Sequence, residues 1–139
     1  MPSFHGRCHC GALELTFTSD KPAHELPLRA CACSFCRRHG MRSVADPQGR
    51  VVFKANDPAA LHKYRFGLQT ASFLICRNCG TYIGSVYSGP AGDTAVVNVN
   101  CFDDQRPFTR AAESVDYAAE TAEQRRQRRQ RVWTPAAWA

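Results

Sequence analysis

Apolar and polar residues alternate in short runs through most of the chain. In Ala12-Leu13-Glu14-Leu15-Thr16-Phe17-Thr18 the apolar Leu13, Leu15 and Phe17 take every second position, the period of a strand with one buried face. Leu61 to Phe66, Ala71 to Ile75, Tyr82 to Tyr87 and Thr94 to Asn100 are further predicted strands. Val51-Val52-Phe53 follows a turn at Asp46-Pro47-Gln48-Gly49, and Ser88 to Asp93 has the composition of a hairpin connection. Asp57 before Pro58 predicts a single capped helical turn. Ser34 to Gly40 predicts a short helix with Ser34 as N-cap and Gly40 as its stop. From Asp116 to Val132 the pattern gives way to Ala, Glu, Gln and Arg, good helix formers with almost no apolar face. An exposed or weakly docked helix is expected there, with Trp133, Pro135 and Trp138 anchoring the segment after it. The fold class this predicts is mainly β. A domain of short antiparallel strands spans 1–112, and an Arg-rich helical C-terminal tail spans 113–139.

A chain of 139 residues, 44% of them apolar, is long enough for one domain with a real core. No run approaches the ~18 apolar residues of a membrane span. Met1-Pro2-Ser3-Phe4-His5 has neither the charged nor the apolar region of a signal peptide. A cytoplasmic protein is expected, and in that reducing compartment clustered cysteines bind metal more often than they form disulfides.

The cysteines change the picture most. There are eight, as Cys8/Cys10, Cys31/Cys33/Cys36, Cys76/Cys79 and a lone Cys101. In an extended segment Cys8 and Cys10 present both thiols to one side, with His9 on the other. Cys76-Arg77-Asn78-Cys79-Gly80 is a knuckle, in which two intervening residues let both sulfurs reach one ion. Together these pairs supply four thiolates, the complement of a closed, structural zinc site. Cys31, Cys33 and Cys36 supply three from six residues, with the third in the first turn of the predicted helix. Three thiolates cover one side of a metal and leave the other open, the layout of a catalytic zinc. His39 or Cys101 as a fourth ligand would close that site. An iron–sulfur cluster fits the ligand count but not the usual spacings. Cys101 reads most simply as a buried small residue, and His5, His9, His24 and His62 as structural or surface residues.

The formal charge of +6 suggests a nucleic-acid partner, but seven thiolates holding two zinc ions would reduce it to about +3. Residues 120–131 carry five Arg against two Glu, so the basic character belongs to the tail. Arginines at 125, 126, 128, 129 and 131 wind around a helix instead of lining one face, which favours a solvated helix over nucleic-acid binding.

Three motifs carry a family resemblance: Gly6-Arg7-Cys8-His9-Cys10-Gly11, Cys31-Ala32-Cys33-Ser34-Phe35-Cys36-Arg37-Arg38 and Cys76-Arg77-Asn78-Cys79-Gly80-Thr81. With Val97 to Asp104 they make the chain resemble the glutathione-dependent formaldehyde-activating enzyme (GFA) and CENP-V family over about residues 4–105. The resemblance implies a mostly antiparallel, β-tent-like fold with two zinc sites. Cys8, Cys10, Cys76 and Cys79 would take the structural site, and Cys31, Cys33 and Cys36 the catalytic one. It also implies carbon–sulfur lyase chemistry on adducts of glutathione, or a similar thiol, with formaldehyde. The expected partner is therefore a small thiol or aldehyde, with neither membrane nor nucleic acid. Arg37, Arg38 and His39, directly after the third ligand, are expected substrate contacts. The run His39 to Pro47 departs from the apolar and aromatic segment common in the family, which points to a substrate of its own. Two other readings of the same residues are a non-enzymatic zinc module with a basic tail and a thiol redox or zinc-storage protein. The sequence sets no oligomeric state.

Overall fold

The computed structural model describes residues 1–139, and its backbone forms eleven strands and two helices. The chain is mainly β, and all the strands belong to one sheet. β1 (Ser3–Arg7) and β2 (Leu13–Thr18) form a hairpin, and β2 pairs with β5 (Arg50–Ala55). β5 runs parallel to β11 (Thr134–Trp138), which pairs with β9 (Gly92–Asn98). β9 is where the sheet branches. One edge pairs with β8 (Tyr82–Gly89), which continues to β7 (Ser72–Cys76) and β6 (Leu61–Tyr64). Its other edge is shared. Thr94 and Ala95 pair with β11, while Val97 and Asn98 pair with β4 (Ser43–Val44), which leads to β3 (Leu28–Cys31) and β10 (Ala112–Val115). Only the β3–β10 and β5–β11 pairs are parallel.

Alternation along β7 and β9 makes the sheet two-sided. Leu74 and Cys76 on β7, with Ala95 and Val97 on β9, face a large core that also holds Leu13, Leu15, Phe17 and Phe53. Phe73 and Val96 face the other way, into a second cluster with Tyr82, Met41, Cys36 and Trp133. With apolar material on both faces, β8 is buried from Tyr82 to Tyr87. The smaller cluster matters for function, because the three-cysteine motif packs at its edge.

The predicted strands form with shifted ends, and Val99–Cys101 turns out of β9 as a single 3-10 turn. β1, β3, β4, β10 and β11 were not predicted. Each has at most five residues, and Ala112-Glu113-Ser114-Val115 and Thr134-Pro135-Ala136-Ala137-Trp138 show no apolar alternation. β10, which straddles the 112/113 boundary, and β11 both pair into the sheet, and β11 lies between β5 and β9.

The C-terminal helix, α2 (Ala122–Val132), is shorter than predicted and firmly docked. Thr121 accepts from the Gln124 amide, and the Gln124 side chain accepts from the Thr121 amide, forming a capping box. The helix packs on β8 and β9 with Arg129 only 7% exposed. Apolar periodicity misses it because arginines make up its inward face.

Asp46 ties β11 to the turn before β5. Its amide donates to Thr134 Oγ1 at 2.8 Å, and its carboxylate accepts from Ser19 Oγ at 2.6 Å and the Gln48 amide at 3.0 Å. Burial pushes the carboxyl up, but Ser19, Gln48 and Lys21 outweigh it and leave it below its ordinary 3.8. Because the folded value is depressed, the stability Asp46 contributes is present above pH 3.8 and is lost as pH falls through the folded value. Asp46→Asn is expected to cost about 2 kcal/mol at neutral pH, as lost hydrogen bonds to a charged group do. Denaturant unfolding of both proteins from pH 7 to 3 checks this. The gap should narrow below pH 4, and a gap independent of pH would contradict the assignment.

Candidate metal centres and cavity

The first cysteine group joins two distant parts of the chain. Cys8 and Cys10 lie in the β1–β2 connection, just beyond the strand, and Cys76 ends β7 ahead of the knuckle that carries Cys79. All four sulfurs lie within 4.8 Å of one another. Cys8 and Cys10 are 3.7 Å apart, and Cys10 and Cys76 are 3.6 Å apart. Tetrahedral zinc with Zn–S of about 2.3 Å needs sulfurs about 3.8 Å apart, so the donors fit such an ion. Gly80, at φ 79°, lets the knuckle close, and its amide donates to Cys76 O at 2.8 Å. Thr81 Oγ1 accepts from the His9 amide and sits 3.3 Å from Cys79 Sγ, linking the two loops. Burial opposes the Cys79 thiolate, but hydrogen bonds from Thr81 and the backbone bring it down to about 5. Burial pushes Cys76 up to about 11.

The second group is local. Cys31 ends β3, Cys33 is the N-cap of α1 (Ser34–His39), and Cys36 lies in its first turn. The N-cap is thus Cys33, one residue before the predicted Ser34, and its sulfur accepts from the Cys36 amide at 3.3 Å. A sulfur placed there meets the positive end of the helix and gathers negative charge. Gly40 in the left-handed region ends the helix as expected. The three sulfurs lie within 4.8 Å of one another. Hydrogen bonds from Cys31 and Cys36 hold the Cys33 thiol down to about 2, while Cys31 and Cys33, then burial, push Cys36 far up. Three sulfurs gathered at one point are a donor set suited to a soft cation.

Neither suggested fourth ligand joins them. His39 is exposed and lies against the Phe35 ring at 4.4 Å, and Cys101 is buried with its sulfur 3.7 Å from Tyr82 O. Burial pushes Cys101 up to about 12. The group opens on one side to a cavity of about 360 Å³, at the lower end of the range for small-molecule sites. Phe66, Phe73, Met41 and Trp133 give the cavity an apolar wall. Tyr82 Oη lies 3.7 Å from Cys36 Sγ and 2.5 Å from Ser85 Oγ. Burial, then the neighbouring Cys36, keeps the phenol protonated.

The cations of the cavity wall are Arg29 on β3 and Arg125, Arg128 and Arg129 on α2. Arg37, Arg38 and His39, expected as substrate contacts, are exposed on α1 and do not line the cavity. The helix has only six residues, and burying Cys36 turns the following three outward. Arg38 folds back to donate to Ser34 O at 2.8 Å. The sequence reading missed Tyr82, Ser85, Arg29 and the α2 arginines. The Thr121-x-x-Gln124 capping box marked where the helix starts, and thus which residues share its faces, but nothing local marked Tyr82 as other than core.

A mainly β protein with one closed four-thiol group and one open three-thiol group beside a cavity belongs to the class of thiol-rich β domains whose cysteine groups could hold metal ions. The family model of glutathione-dependent formaldehyde-activating enzyme matches residues 3–118, and the chain belongs to that family. Membership supports a glutathione-dependent, formaldehyde-activating type of function. Among solved structures, the crystal structure of a Rhodobacter sphaeroides protein is similar at a TM-score of 0.58 and 29% identity. The match covers 80% of this chain and 99% of that one. No curated protein matches the chain. α2 and β11 lie beyond the residues matched by the family model. No helix is long and apolar enough to cross a membrane.

Proposed function

We propose that this protein is a zinc-dependent carbon–sulfur lyase that makes and breaks adducts of glutathione, or a similar thiol, with formaldehyde. The observation that carries the reading is an open group of three thiols on the wall of a cavity of small-molecule size. Cys8, Cys10, Cys76 and Cys79 hold a structural zinc, and Cys31, Cys33 and Cys36 hold a second. Zinc bound at that second site supplies Lewis acidity on the open side. In the synthetic direction the thiol sulfur attacks the aldehyde carbon, one C–S bond forms, and the thiol proton ends on the former carbonyl oxygen. The reverse direction breaks that bond and returns the proton. The Tyr82 phenol, bonded to Ser85 Oγ, holds a proton at Oη within reach of the cluster. Phe66, Phe73 and Trp133 keep water from the reacting carbon. The eight free cysteines support a cytoplasmic, reducing location.

Arg125, Arg128 and Arg129 turn toward the cavity, leaving Arg126 and Arg131 as the exposed cations of α2. That removes most of the charge a nucleic-acid partner would use. The test is exchange spectroscopy on an equilibrium mixture of glutathione and formaldehyde. Zinc-loaded protein should accelerate exchange between free thiol and adduct well beyond the uncatalysed rate. No acceleration would remove the formaldehyde assignment.

A further inference from the structure

Three guanidinium groups of α2 converge on the cavity with one carboxylate among them. Glu120 accepts from Arg128 Nε at 2.9 Å and Nη2 at 3.0 Å, and Arg125 Nε lies 3.6 Å from its Oε1. Arg128 also lies over the Tyr117 ring at 3.5 Å, and Arg125 donates to Tyr117 O. Glu120 is thus fully engaged by two arginines. Arg129, 93% buried, has no carboxylate within ion-pair distance. It donates through Nη1 to Thr70 Oγ1, lies 4.9 Å over the Trp133 ring, and has no acceptor for Nε. Its backbone is pinned, because Arg129 O accepts from both Thr94 Oγ1 and the Trp133 amide. Arg29 faces the cavity from β3, also without an ion pair, and Asp116 is the one carboxylate in the wall.

A buried guanidinium is normally paired, because removing it from water costs more than a hydroxyl and an aromatic face return. Here burial, then the neighbouring Arg128 and Arg125, lower Arg129 to about 10. An anion would relieve both effects. The unsatisfied cation shares one cavity with the three thiols, so a ligand reacting at sulfur can reach it with another part of itself.

We infer that Arg129, supported by Arg125 and Arg128, is an anion-binding site for a carboxylate of the thiol substrate and sets this chain's preference for acidic thiols. The inference rests on the proposed reaction for the identity of the thiol. It assigns specificity to a helix outside the residues matched by the family model. A carboxylate fits Arg129 because the planar guanidinium fork matches two carboxylate oxygens.

Binding tests this without turnover. S-methylglutathione and its diethyl ester, both unreactive at sulfur, would be titrated calorimetrically into the zinc-loaded full chain. Wild type should bind the acid at least tenfold more tightly than the ester. Arg129→Met should erase that preference, weakening the acid tenfold to a hundredfold and leaving the ester unchanged. Arg129→Lys should keep part of it, and Arg126→Met, on the outer face, should keep all of it. Equal affinity of wild type for acid and ester, or no binding of either, would overturn the inference. So would an intact preference in a folded Arg129→Met protein. If Arg129→Met does not fold, wild type and Arg129→Lys carry the comparison. Selective binding without accelerated exchange would end the lyase reading and leave the anion site standing. Accelerated exchange without selective binding would do the reverse.

Discussion

Cys79→Ser is expected to lower the melting temperature by tens of degrees and to remove one zinc per chain. The four thiols link the β1–β2 connection to the end of β7, and sulfurs 66 residues apart in sequence, Cys10 and Cys76, come within 3.6 Å. No strand ladder joins β1 or β2 directly to β7, so a metal held by the four thiols would be a crosslink in its own right. Closing a loop of that length removes unfolded-chain entropy worth about 4 kcal/mol, by the same loop-closure reasoning that applies to a disulfide. A structural zinc there would add its own binding energy, about 10–16 kcal/mol in small domains. Whole-domain stability is only about 5–15 kcal/mol, so losing one ligand in four threatens the entire fold. Zinc content by atomic emission and thermal unfolding by circular dichroism check this. An unchanged melting temperature with one zinc missing would show that strand packing alone holds β7 to the hairpin. A strong chelator should reproduce the loss in wild type, and more readily at acid pH because the thiols must lose protons to bind.

What was legible in the chain depended on the kind of force at work. Leu13, Leu15 and Phe17 announce β2 because burial of one sheet face repeats every second residue, and those three side chains are at most 2% exposed. The cysteine groups announce themselves because ligand spacing is a local constraint, and both groups assemble as expected. β10 and β11 leave no such trace. Ala112–Val115 is held by parallel pairing to β3, and Pro135 sits in a strand despite having no amide hydrogen to donate. The inward face of α2 is hidden for a related reason. Apolar periodicity equates burial with hydrophobicity, whereas the buried Arg129 is charged and packs against Trp133 and Thr70. Arg37 and Arg38 were singled out because they adjoin Cys36 in sequence, but one short helical turn carries them away from the cavity. Spacing along the chain predicted which cysteines cluster but not which side chains line the cavity, because the sulfurs converge on one point while their neighbours in sequence point elsewhere.

Cys33→Ser should separate activity from stability, in contrast to Cys79→Ser. Zinc per chain is expected to fall from two to one while the melting temperature moves by only a few degrees. Cys31, Cys33 and Cys36 lie within six residues, so a metal held there closes no long loop and adds little to the global fold. Serine is the appropriate replacement. Cys33 is the N-cap of α1, with its sulfur accepting from the Cys36 amide, and a serine hydroxyl accepts the same bond. A hydroxyl is a poor ligand for a soft site, so the helix survives while the cation is lost. Lewis-acid stabilisation of developing charge contributes several kcal/mol, and losing it should slow thiol–formaldehyde exchange on the order of a thousandfold. Zinc analysis, thermal unfolding and exchange rates on one preparation give all three quantities. Two zincs retained with full activity would mean that Cys33 is a cap and nothing more. Collapse of the fold would make the group structural, leaving the cavity without a separable reaction centre.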